Sequence, residues 1–132
     1  MLIIDDFYLL NALLEVLWTV KFDVNPQETG AIGGSPFVAE IYNRTYEEMI
    51  LMARKNLRED IAQELERNRS IEKRSFELEA VYSHIKHSKS SWKNWTTEQK
   101  KQYVQILFSP YKTTDDFLNS VVEKGDFLNE EN

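Results

Sequence analysis

The chain is 132 residues long, carries a formal net charge of −6 and contains no cysteine. That length suits a single domain, residues 1–132, with one buried core. The missing thiols exclude disulfides, zinc–thiolate sites and cysteine nucleophiles, and an apolar share of 42% with few glycines argues against wholesale disorder.

From Phe7 to Phe22 almost every position is apolar, and the exceptions Asn11, Glu15 and Thr19 recur every fourth residue. On a helix they form one narrow polar stripe. A helix apolar on nearly every other side needs cover, so a buried N-terminal helix with its neighbours packed round it is expected. Asp5 or Asp6 supplies its N-cap, and Asn25-Pro26 ends it. The Asp pair stands where a secretory signal would carry Lys or Arg, and Asn11, Glu15 and Lys21 break the apolar run. Neither export nor a membrane span is expected, and the cytoplasm is the expected compartment.

Residues 24–35 hold three of the four glycines and no periodicity, a loop long enough to carry function. Ser35-Pro36 signals a new helix start. From Phe37 to Leu65 the apolar residues keep a three-and-four spacing, which predicts one long helix over 36–67, kinked near 43–45. The pattern falters at 67–70, with Ser70 as the next cap; a single helix continuing to about residue 87 is the rival. Phe76, Leu78, Val81, Tyr82 and Ile85 form a third apolar face that ends in the polar run 88–91. Thr96 or Thr97 caps a fourth helix, stopped by Ser109-Pro110. Thr113 or Thr114 caps the last, with Gly125 after its end and a frayed tail over about 126–132. The fold expected is an all-α, single-domain bundle of about five helices.

The charge is unevenly laid out. Residues 1–50 hold 8 acidic and 2 basic side chains, residues 51–112 hold 8 and 13, and residues 113–132 hold 6 and 1. Either the acidic ends fold over the basic middle or they await a cationic partner. The second reading makes the protein a non-catalytic acidic binding module, an immunity protein or inhibitor that neutralises a cationic toxin such as a nuclease. Asp115, Asp116, Glu123 and Asp126 are the candidate contacts.

The alternative is a nucleic-acid-binding regulator using segment 67–101. There Arg67, Arg69, Lys73, Arg74, Lys89 and Lys93 interleave with Trp92 and Trp95, cations for phosphates and rings for bases. A small enzyme with an unrecognised site is the third reading. His84 and His87 share a spacing that suits one helix face but lack the carboxylate or further ligands of a metal site. The run Gly30 to Pro36 feeds a helix N-terminus without the Lys-Ser/Thr ending of a phosphate loop. No metal or cofactor is expected.

Overall fold

The computed structural model describes residues 1–23 and 32–130, which form seven α-helices and no strand. The greater part of the loop 24–35 thus lies outside the described residues. Asp6 starts α1 (Phe7–Trp18): its Oδ1 accepts from the Tyr8 N–H at 2.8 Å and the Leu9 N–H at 3.1 Å. The helix closes in one wide π-turn, Thr19–Asp23. Ser35 then opens α2 (Pro36–Lys55), its Oγ accepting from the Phe37 and Val38 N–H groups.

The long helix expected over 36–67 is two. α2 runs through 43–45 without a break, and the chain turns at Asn56 and Leu57 into α3 (Glu59–Arg67). Leu57 takes φ 59°, a left-handed conformation, and its side chain is 91% exposed. α3 folds back onto α2, closing a small core of Ile50, Ala53 and Ala62 with Ile61 and Leu65 beside it. Arg54 spans the hairpin, bonding Glu59 at 3.2 Å and Glu66 at 2.8 Å.

A turn follows at 68–74, and Ser70 pairs with Lys112 as an isolated bridge instead of capping a helix. α4 (Ser75–His87) is the central helix, not α1. The π-turn, α5 (Lys89–Trp92), α6 (Thr97–Phe108) and α7 (Asp115–Glu130) all pack on it, and its Val81 and Ile85 are fully enclosed. By contrast α1 buries only Leu10 and Leu17, with Leu13 half-buried and Tyr8, Leu9 and Val16 exposed. Its apolar circumference outruns its neighbours because α2 and the core cover one side alone.

α5 was not foreseen; its single turn drives Trp92 into the core at 1% exposure. α6 begins on the reciprocal Thr96–Gln99 capping box. Thr114 Oγ1 accepts from the Phe117 N–H at 3.2 Å to start α7. That helix runs straight through Gly125 to Glu130, so residues 126–130 are ordered helix and not a frayed tail. Gly125 is a packing residue: a Cβ there would lie 2.8 Å from Trp92 Cζ2 and 3.2 Å from Ile85 Cγ2. Beyond it Asn129 is buried and donates to the Ile85 carbonyl at 3.2 Å.

Candidate interaction surface

The fold supplies internal cations to part of the C-terminal acidic block. Asp115 pairs with Lys101 of α6, whose ammonium holds that carboxyl below the usual range. Asp126 Oδ1 accepts from Lys100 Nζ at 2.7 Å and from Trp92 Nε1 at 2.8 Å, pinning the buried indole. Two of the four expected partner contacts are therefore occupied within the chain, while Asp116 and Glu123 stay exposed.

The basic-aromatic segment is taken apart in a similar way. Arg69 is buried, donating from Nε to the Pro110 carbonyl and from a terminal nitrogen to Asn43 Oδ1, each at 3.0 Å. Arg74 donates to the carbonyls of Asn68 and Ser70, lies 3.5 Å from Glu77 and stacks over Tyr111 at 4.4 Å. Trp92 is core, and Trp95 packs on Tyr103 with ring centroids 5.0 Å apart. Arg67, Lys73 and Lys93 are exposed and Lys89 is half-buried. The rings that would stack bases are committed to helix packing. A hollow of about 310 Å³ lined by Trp18, Tyr42, Tyr46 and Tyr111 is likewise already furnished with the Arg74 guanidinium.

His84 and His87 do not share an environment: His87 is exposed and His84 is buried. Among the described residues the His84 Nε2 has no hydrogen-bond partner, and Gly33 lies close against the ring, where a Cβ would come within 2.8 Å of Cε1. Burial pushes the imidazole below its ordinary pKa, and a hydrogen bond with the Lys21 backbone works against that. Among the described residues no cluster of His, Asp and Glu could hold a metal ion.

Lys21 was read only as an interruption of the apolar run, and it is 1% exposed. Its Nζ donates to the Ile106 carbonyl at 2.7 Å in the last turn of α6, where the helix dipole is negative, and lies 5.7 Å from the Phe22 ring centre. No carboxylate among the described residues pairs with it. Burial brings its pKa down to about 7. Nothing in the local pattern except one Lys inside an apolar helix face could have pointed to this.

With Lys21 withdrawn, the charged side chains exposed on residues 1–23 are all acidic, Asp5, Asp6, Glu15 and Asp23. None of them is ion-paired among the described residues. Between them α1 presents Leu9 at 61% exposure and Val16 at 58%, with Ala12 beside them. Uncovered apolar area with carboxylates on the same segment has the character of an interaction surface. No helix among the described residues is long and apolar enough to cross a membrane. No family model, curated protein or solved structure matches the chain.

Proposed function

We propose that the protein is a non-catalytic binding module whose partner is a cationic protein. An immunity-type inhibitor that neutralises a basic toxin, such as a nuclease, is the class that fits. One observation carries the reading: the outer face of residues 1–23 bears exposed carboxylates and exposed leucine and valine, and its single basic residue is buried. Carboxylates without an ion-pair partner among the described residues steer a basic partner inward, and the apolar surface between them supplies the contact to be desolvated. The contacts proposed from sequence move accordingly. Asp115 and Asp126 serve the fold, whereas Asp116 and Glu123 remain available as an outlying acidic patch.

The test is association kinetics against a panel of basic nucleases at low and high ionic strength. The on-rate is expected to fall steeply with salt, and to fall at low salt when Asp5 and Glu15 are both changed to Lys. Association indifferent to salt and to that double change overturns the proposal. So does retention of nucleic acid in place of protein.

A further inference from the structure

α1, α2 and the turn at 68–74 meet around the hollow of about 310 Å³. Its floor is made of buried tyrosine rings: Tyr42 and Tyr46 of α2, stacked with centroids 6.0 Å apart, and Tyr111, which follows α6. Trp18 forms a wall, its indole N–H donated to Glu77 Oε1 at 3.4 Å. Packing alone accounts for the rings. It does not account for the opposite charges that share the hollow with them.

Glu15, exposed on α1, and Arg74, from the turn, both line the hollow and form no ion pair with each other. Arg74 engages three of its five N–H groups, on the Ser70 carbonyl, the Asn68 carbonyl and Glu77, which leaves two. Around the rings the charge is even. Arg69 lies over Tyr46 and Arg74 over Tyr111, against Glu77 beside Trp18 and Glu15 on α1.

We propose that this hollow binds a single α-amino acid with an apolar side chain. Its carboxylate meets Arg74, its ammonium meets Glu15, and its side chain lies against Trp18 and the tyrosine rings. Three features select that class. An even balance of charge favours a ligand of no net charge over a cation or an anion. Opposite charges that line one hollow without pairing match the two ends of a zwitterion, and the ring faces welcome the ammonium as well. The volume stands at the lower end for small-molecule sites, which suits a ligand of about a dozen heavy atoms and leaves no room for a nucleotide. The site is independent of the cationic partner proposed above and shares only Glu15 with it.

The experiment follows the indole N–H resonances of the three tryptophans in the full chain while L-phenylalanine or L-leucine is added. Trp18 lines the hollow, whereas Trp92 is bonded to Asp126 and Trp95 packs on Tyr103. A saturable shift of the Trp18 signal alone is expected, with a Kd of about 1 mM or tighter. 3-Phenylpropionate lacks the ammonium and 2-phenylethylamine lacks the carboxylate; each is expected to bind L-phenylalanine's site about tenfold more weakly. Glu15→Gln is expected to weaken L-phenylalanine about fivefold and to leave 3-phenylpropionate unchanged. Arg74→Gln is expected to abolish the Trp18 shift. That arginine also ties the turn, so circular dichroism accompanies it, and the exposed Glu15 variant decides if it does not fold. No saturable shift at Trp18, a shift at Trp92 or Trp95 instead, equal affinity for the two analogues and L-phenylalanine, or indifference to Glu15→Gln overturns the proposal.

Discussion

Lys21 is the residue whose burial the fold does least to compensate. Among the described residues one carbonyl and one ring face meet its ammonium, and the neighbouring His84 brings a nitrogen without a hydrogen-bond partner instead of a carboxylate. The groups acting on His84 are Lys21 from the π-turn and His87 from its own helix, both positive when charged. α6 contributes only the Ile106 carbonyl to the lysine. Lys21 has its pKa lowered from 10.5 to about 7, so the unfolded chain binds the proton more tightly across that window. Its contribution to stability is whole above pH 10.5 and is lost as pH falls to about 7. His84 is also lowered, from 6.5, and continues the loss below that pH. Lys21→Met, which fills the same space without the charge, is expected to raise stability by about 1–4 kcal/mol at pH 6. The Ile106 carbonyl is not orphaned, because it also accepts from the Ser109 N–H. Urea denaturation at pH 6 and pH 10 checks this: the advantage of the variant shrinks at the higher pH. A variant less stable at both pH values shows the lysine to be held well after all.

At the scale of elements, the features legible in the sequence were those that neighbouring residues determine. The caps at Asp6, Ser35 and Thr96 could be read because the side chain and the N–H it satisfies lie within three residues. The break between α2 and α3 could not. Ile61 and Leu65 keep the apolar phase of α2 across it, and no glycine or proline marks the turn. Leu57 instead accepts a left-handed backbone, so Leu57→Gly is expected to stabilise the protein by about 0.5–1 kcal/mol, read as a higher melting temperature. Gly125 was misread for the converse reason. A glycine that ends a helix and one that admits an indole look alike until the indole is in place. Gly125→Ala gains about 1 kcal/mol in helix propensity. The new methyl, however, meets a Trp92 ring held by Asp126, so a net loss of about 1–3 kcal/mol is expected from crowding. A stabilised variant in chemical denaturation means the ring yields more readily than its hydrogen bond implies.

Across the whole molecule, the charge pattern in the sequence posed two alternatives, and tertiary contacts divide the acidic ends between them. Which carboxylate meets which lysine depends on α6 and α7 lying together, a long-range fact that no local spacing encodes. The helix faces were legible, but the covered and uncovered sides of α1 were not, since coverage depends on how many neighbours the bundle provides. The consequence is a graded set of charge effects. Asp126 bonds a buried indole N–H and a lysine whose side chain is only 14% exposed. Removing it with Asp126→Ala leaves the Trp92 Nε1 without an acceptor inside the core and is expected to cost about 1–3 kcal/mol. Asp126→Asn keeps an oxygen for the indole and loses only the charge, so it recovers part of that loss. Asp115→Lys sets a cation against Lys101 at an exposed site and lowers stability by less, an effect that rising salt suppresses. Asp116→Asn and Glu15→Gln touch no cation among the described residues and shift the denaturation midpoint least, Asp116→Asn by no more than its place in the first turn of α7 implies. Midpoints for the five variants at two salt concentrations test the order. If Glu15→Gln destabilises as much as Asp126→Ala, the acidic face of α1 is holding the fold together, and it is not free to meet a partner.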